Sequence, residues 1–115
     1  MKPKARLYLD APDGQNLFGD GRYQLLKVID EEGSLLKAAA RLERGYRKAW
    51  GDIRRTEQAL GRRLVITNRG GPTGGATQLT EFAQRLLVGW DRFRDEVESQ
   101  METASGEHLG FLDEG

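Results

Sequence analysis

The sequence contains no cysteine and only one histidine among its 115 residues. Without cysteine the chain has no disulfide bonds, no thiolate metal sites and no cysteine nucleophile. The single histidine, His108, lies near the C-terminal end, with no metal-binding or triad partners close to it in the sequence. The glycine-rich segment 69–75 lacks the Gly-Lys-(Ser/Thr) signature of a phosphate-binding P-loop. We therefore expect no catalytic residues, no metal, no cofactor and no enzyme activity.

Long hydrophobic runs are also missing. No apolar segment approaches the roughly 18 residues that a membrane helix needs, and residues 1–4 lead into no apolar signal core. The hydrophobic fraction of 37% and the charged fraction of 31% suit one globular domain with polar ends. We expect a cytoplasmic protein that does not bind membranes.

The formal net charge is zero, but the charges are unevenly distributed. Residues 41–69 carry nine basic side chains against three acidic ones, and residues 81–115 carry nine acidic against three basic. A basic middle between a neutral start and an acidic end is typical of a localised surface for a polyanion. The alternative is that these arginines and lysines only solvate helix surfaces.

Periodicity and turn residues predict a strand, three helices, a two-stranded wing and a long last helix. The predicted bounds are a strand at 5–9 with a turn at 10–14, helices at 20–32, 35–42 and 46–60, strands at 64–67 and 76–79, and a last helix from 81 to about 103. Ser34 and Thr80 are predicted N-caps, and Gly33 and Gly61 are predicted helix ends. We divide the chain into an N-terminal strand and turn (1–20), a winged helix-turn-helix (21–80), a long helix (81–104) and a disordered acidic tail (105–115).

This order of elements predicts a mainly α fold with a small β wing, a winged helix-turn-helix followed by a long dimerisation helix. The small pair Ala38 and Ala39 allows close packing of the second helix on the third. The face of the third helix that remains free carries Arg47, Lys48, Gly51, Arg54 and Arg55. Arginine and lysine bind phosphates and guanine edges, so this face is suited to the major groove. A glycine in a helix interior indicates either close approach to DNA or close packing of helices.

Three motifs resemble known regulators of transcription. Gly33-Ser34-x-x-x-Ala38-Ala39-x-x-Leu42 is similar to the helix-turn-helix start of LysR-type regulators. The segments that resemble the N-terminal domain of ModE-type, molybdate-dependent regulators are Phe18-Gly19-x-Gly21-Arg22, Tyr46-Arg47-Lys48-Ala49-Trp50 and Gly70-Gly71-x-x-Gly74-Gly75-Ala76-x-x-Leu79-Thr80.

The resemblance implies a dimeric transcriptional regulator that binds a palindromic site on double-stranded DNA through the third helix and the glycine-rich wing. The DNA contacts that we predict are Ser34, Arg44, Tyr46, Arg47, Lys48, Gly51, Arg54, Arg55, Arg69 and Thr73. Trp50 is part of the family motif, but a tryptophan at this position is more often core than contact. The Tyr46 hydroxyl either reaches a phosphate or packs on the turn.

Two features depart from the family. Where these regulators usually have a Gly-Met-Ser turn, this chain has Glu43-Arg44-Gly45. Gly45 supplies no hydroxyl for a phosphate, so either Arg44 takes over that contact or the turn has another shape. The residues after Thr103 are also too few for the molybdate-binding domains of ModE, so we expect this chain to lack that sensor and not to bind molybdate.

The last helix carries an apolar residue every three or four positions, from Phe82 through Leu86 to Met101. Its first half can cover the winged-helix core. We predict a homodimer through its second half, with contacts from Trp90, Phe93, Val97 and Met101. The alternative is a helix that folds back on its own domain. The alternative to DNA binding is a winged-helix module for protein–protein interaction, which zero net charge and the altered turn favour.

Overall fold

A computed structural model of the chain describes residues 1–68 and 75–114. Its elements in chain order are β1 (Tyr8–Asp10), β2 (Asn16–Gly19), α1 (Asp20–Glu32), α2 (Leu35–Arg41), α3 (Tyr46–Leu60), β3 (Val65–Asn68), β4 (Ala76–Leu79), α4 (Glu81–Leu109) and a short 3-10 helix (Gly110–Asp113). The three helices, the β3–β4 hairpin and the long α4 confirm the predicted winged helix-turn-helix.

Local capping sets the helix ends. The Ser34 hydroxyl oxygen accepts a hydrogen bond from the Lys37 amide at 3.1 Å, as expected for the N-cap of α2. Helices α1 and α3 end at Gly33 and Gly61, whose φ angles of 67° and 66° are left-handed. The predicted caps and the bounds of α1 and α3 are confirmed.

The core lies where α1, α2 and α3 meet under β2, β3 and α4. Ala38 and Ala39 of α2 are fully buried, and Ala49 and Ile53 of α3 pack into the same cluster. Small side chains at this contact allow the two helix backbones to approach closely. The pair of alanines therefore has the packing role that the sequence predicts.

The wing is the antiparallel hairpin of β3 and β4, with Val65 opposite Leu79 and Asn68 opposite Ala76. It is attached to the turn between α1 and α2. The Thr77 amide donates to the Gly33 carbonyl at 2.9 Å, and the Thr77 hydroxyl oxygen accepts from the Leu35 amide at 3.2 Å. The β4 side of the wing is thus joined to the helix-turn-helix.

The N-terminal region forms a hairpin that the sequence pattern only half predicts. The first strand covers Tyr8–Asp10 rather than residues 5–9, and it pairs antiparallel with β2, which was not predicted. β2 places Phe18 in the core at 1% exposure, edge-to-face on Trp90 with 5.3 Å between ring centroids. Because strands of three and four residues gain their stability from pairing with each other, a local pattern identifies them poorly.

The first half of α4 covers the core, as predicted. Thr80 caps it by accepting from the Ala83 amide at 3.1 Å. Trp90 is 2% exposed, and its indole N–H donates to Asp20 at 2.9 Å. The prediction that Trp90 is a dimer contact is therefore wrong, because its surface is already used inside one chain. No helix among the described residues is long and apolar enough to cross a membrane.

The prediction of a disordered tail from residue 105 is also wrong. Helix α4 continues to Leu109 and is followed by the 3-10 helix, and the N-terminal amino group lies 2.8 Å from an oxygen of Asp113. Glycine lowers helix propensity by only about 1 kcal/mol, so an established helix extends through an isolated glycine such as Gly106.

Candidate nucleic-acid interface

Helix α3 has one buried face and one exposed face. Ala49, Ile53, Thr56 and Glu57 are buried, and the spacing of four, three and one residues places them on one side. The opposite side carries exposed basic side chains and Gly51 in their midst. The core therefore fixes which side of α3 is open to a ligand.

Arg47 and Lys48 lie in the first turn of this exposed face. Both are exposed, and neither has an ion-pair partner within residues 1–68 and 75–114. Two uncompensated positive charges at the start of a helix provide donors for an anionic ligand. This is the electrostatic feature that the sequence predicts.

Arg54 and Arg55 are on the same face but are paired within the helix. Arg54 lies 3.1 Å from a carboxylate oxygen of Glu57, and Arg55 lies 2.7 Å from a carboxylate oxygen of Asp52. Both guanidinium groups remain at least half exposed. They can therefore still meet a ligand, but the expectation that they are unengaged is wrong.

An aromatic row runs along the edge of this face. The Tyr46 ring meets Trp50 edge-on at 6.5 Å between centroids, and the Arg54 guanidinium lies 4.8 Å from the centroid of Trp50. Trp50 is half-buried and packs on the rim of the core, so it is neither a full core residue nor freely exposed. Tyr46 packs on Trp50 and leaves 43% of its surface exposed.

The unusual turn before α3 is held by Arg44. Its Nη1 donates to the carbonyl oxygen of Gly21 in the first turn of α1 at 2.9 Å, and the side chain is half-buried. Glu43 takes a left-handed φ of 55°. Arg44 thus ties the turn to α1 through a hydrogen bond, where an apolar residue would act through packing.

Ser34 and Gly51 can be assigned from their surroundings. Ser34 is buried at 7% exposure, and its oxygen is occupied by the α2 cap. A Cβ built on Gly51 would meet Arg55 alone, at 3.4 Å from its Nη1. Close helix packing therefore does not explain Gly51, because no neighbouring helix is near it.

Two predicted contacts, Arg69 and Thr73, lie outside the described residues. The described parts of the wing bring Asn68 and Ala76 opposite each other at the end of the hairpin where that segment connects them. The predicted wing contacts therefore stay predictions.

Sequence reasoning missed three residues near this face. Gln58 is exposed and lies on the same side as Arg47 and Gly51, at seven residues from Gly51. Arg22 of α1 donates to the Leu17 carbonyl and to the Thr56 hydroxyl. Glu57 is 8% exposed and binds the start of β3. The helical spacing could have identified Gln58, whereas the other two depend on tertiary contacts.

The predicted dimer residues on α4 divide into two kinds. Phe93 is 41% exposed, while Val97 and Met101 are half-buried rather than exposed as expected. Met101 lines a cleft together with the N-terminal residues Lys2 and Pro3, which lie beside this part of α4. Within the described part of the chain, no group of three or more His, Asp or Glu side chains could hold a metal ion.

Comparison with known proteins identifies the fold by family. Residues 21–84 match the family of bacterial regulatory helix-turn-helix proteins of LysR type. The chain is 34% identical to the molybdenum transport protein ModE of Azotobacter vinelandii over 88% of its length and 37% of that protein. It is 40% identical to the transcriptional regulator ModE of Haemophilus influenzae over 67% of its length and 31% of that protein.

A third relative is the DNA-binding transcriptional dual regulator ModE of Escherichia coli K12, which is 35% identical over 76% of the chain and 34% of that protein. The chain thus spans about a third of the length of the curated relatives that it matches. The matched family region contains α1, α2, α3 and the whole described wing. On this match, the chain belongs to the LysR-type family of bacterial regulatory helix-turn-helix proteins.

Proposed function

We propose that this chain is a sequence-specific DNA-binding regulator of transcription of the ModE type. Helix α3 enters the major groove, and the glycine-rich wing contacts the DNA backbone. The observation that carries the proposal is the pair Arg47 and Lys48, exposed and without an ion-pair partner in the described residues, opposite the buried face of α3. Family membership and the relative named as a DNA-binding regulator support it.

The individual contacts follow from the exposed face. Arg47 and Lys48 bind phosphates or guanine edges, and the Tyr46 hydroxyl contacts a phosphate. Arg54, Arg55 and the wing residues Arg69 and Thr73 lie around them as secondary contacts. Ser34 and Arg44, which already hold backbone groups of the protein, contribute through the donors that they have left.

We also propose a homodimer on a palindromic site. Phe93, Leu109, Phe111 and Leu112 are large apolar side chains that are 41–63% exposed along the distal part of the chain. A two-fold partner would bury them together with Val97 and Met101. Two-fold symmetry would place two copies of α3 on equivalent half-sites.

The variant Arg47→Ala/Lys48→Ala tests the groove assignment. We expect weaker binding to duplex DNA, a salt dependence of log Kd that falls by up to about two contacts, and a nearly unchanged midpoint of thermal unfolding. Fluorescence anisotropy over a range of salt concentrations measures the affinity. The matched control is Arg85→Ala/Arg92→Ala, which removes two exposed positive charges from α4.

Unchanged affinity of Arg47→Ala/Lys48→Ala would refute the assignment of α3 to the groove. The alternative function, a protein–protein interaction module, has a separate signature. Such a module would show little binding to random duplex DNA at any salt concentration, whereas a DNA-binding protein weakens steeply as counterions compete for the phosphates.

A further inference from the structure

Glu57 is an acidic residue on the basic helix α3, and only 8% of its surface is exposed. One carboxylate oxygen accepts from the amides of Leu64 and Val65 at 2.8 and 3.4 Å, and the other accepts from Arg54 at 3.1 Å. A buried carboxylate is stable only when it is hydrogen-bonded, and here its partners are two backbone amides and a guanidinium group. Glu57 therefore joins α3 to the first residues of the wing.

The wing is held to the rest of the protein from two sides. On the β4 side, Thr77 binds the turn between α1 and α2. On the β3 side, within residues 1–68 and 75–114, Glu57 is the one α3 side chain that hydrogen-bonds the segment leading into β3. The position of β3 relative to α3 thus depends on this carboxylate.

The same carboxylate is connected to the exposed face of α3. Glu57 holds the Arg54 guanidinium, which lies over the Trp50 ring, and Trp50 meets Tyr46 edge-on at the start of the helix. A continuous row of contacts therefore runs from the first residue of α3 to the start of the wing.

We propose that Glu57 is a positioning residue that sets the wing at the distance and angle from α3 that a DNA duplex requires. The proposal rests on the proposed DNA binding. A helix in the groove and a wing on the backbone reinforce each other only when their separation matches that of their sites on the DNA. A side chain that fixes this separation acts on affinity without touching the DNA.

Charge and positioning predict opposite effects of removing this carboxylate. Replacing Glu57 by a neutral residue removes a negative charge beside a polyanion, and electrostatics alone then strengthens DNA binding. Loss of positioning weakens it. The sign of the change in affinity therefore distinguishes the two roles.

The experiment compares Glu57→Gln and Glu57→Ala with the wild-type chain in anisotropy titrations on one duplex. Glutamine keeps the reach and an acceptor for the Leu64 amide, whereas alanine leaves both amides without this partner. We expect about tenfold weaker binding for Glu57→Ala and an intermediate loss for Glu57→Gln. Glu96→Gln, which neutralises an exposed acidic residue on α4, is the control for charge.

A double-mutant cycle separates positioning from general loss of structure. If Glu57 acts through the wing, Glu57→Ala costs little further affinity once the wing contact Arg69 is replaced by alanine, but its full cost remains when Arg47 is replaced instead. A general loss of structure would cost the same affinity in both backgrounds. Far-UV circular dichroism checks that the helices are retained.

The outcomes are distinct. A wild-type chain without salt-dependent binding to duplex DNA would overturn the proposed function and this proposal together. A wild-type chain that binds DNA, with variants of Glu57 that bind equally well or more tightly, would overturn the positioning role alone. Equal losses in the Arg69 and Arg47 backgrounds would also overturn it.

Discussion

At the scale of single residues, Gly51 is the position where stability and binding oppose each other. It lies within α3, where glycine is unfavourable compared with alanine, yet an added Cβ would touch only the flexible end of Arg55 at 3.4 Å. The chain therefore gives up stability here without any packing reason. The exposed face of α3 accounts for it if the helix backbone lies close to DNA.

We predict that Gly51→Ala raises the free energy of unfolding by roughly 0.5–1 kcal/mol and weakens DNA binding several-fold. Urea denaturation and anisotropy titration measure the two effects. Gly89→Ala is the matched control, since Gly89 is an exposed helical glycine on α4 with open space around it. Gly89→Ala should give a similar gain in stability with unchanged affinity. If Gly51→Ala binds DNA as well as the wild type, close approach at this position is ruled out.

The paired arginines illustrate a second point at this scale. Arg54 and Arg55 satisfy every sequence criterion for DNA contacts, since both are basic and lie on the exposed side of α3. Whether such a side chain is available depends on its neighbours at a spacing of three residues, here Glu57 and Asp52. Charge count alone therefore overstates the free positive charge of α3.

At the scale of elements, Thr80 links the wing to the long helix. Its hydroxyl accepts from the Ala83 amide at 3.1 Å and donates to the Arg63 carbonyl at 2.8 Å, and its own amide donates to the Leu64 carbonyl at 2.9 Å. One residue thus caps α4 and binds the segment that leads into β3.

We predict that Thr80→Ala lowers the free energy of unfolding by about 1–2 kcal/mol, because it removes both the cap and the bond to Arg63. Thr80→Ser retains the hydroxyl and should stay close to the wild type. Chemical denaturation of the two variants measures the difference. The same loss for serine and alanine would show that the methyl group, and not the hydroxyl, provides the stability.

At the scale of the whole molecule, α4 has two roles along its 29 residues. Its first half is core, with Leu87 and Trp90 buried against the helix-turn-helix. Its second half lies beside the N-terminal segment and leads to exposed Phe111 and Leu112. Large apolar side chains gathered at the distal end mark a surface suited to a second copy of the chain.

We predict a dimer at micromolar concentration, with a mass of twice the 12.9 kDa of one chain in sedimentation equilibrium. Phe93→Glu should shift the chain to the monomer, because it places a charge in the proposed interface. Val88→Glu is the control, since Val88 is a 51% exposed apolar residue on another side of α4. A wild-type chain with monomer mass would contradict the dimer.

The sequence by itself determined the helices and their ends. Ser34, Thr80, Gly33 and Gly61 act through contacts within a few residues, so capping could be predicted from neighbours in the chain. The exposed face of α3 followed from the spacing of its buried residues for the same reason. These features are local, and local patterns record them.

Only the tertiary structure decided which surfaces were already used. The apolar spacing of α4 is the same whether Trp90 packs on Phe18 or on a partner, and the pairing of β1 with β2 joins strands that no local pattern links. Likewise, Glu57 reads in the sequence as one more charge on a helix, whereas in the fold it binds the wing. Such contacts depend on where distant segments meet, because burial and hydrogen bonding are properties of the assembled core.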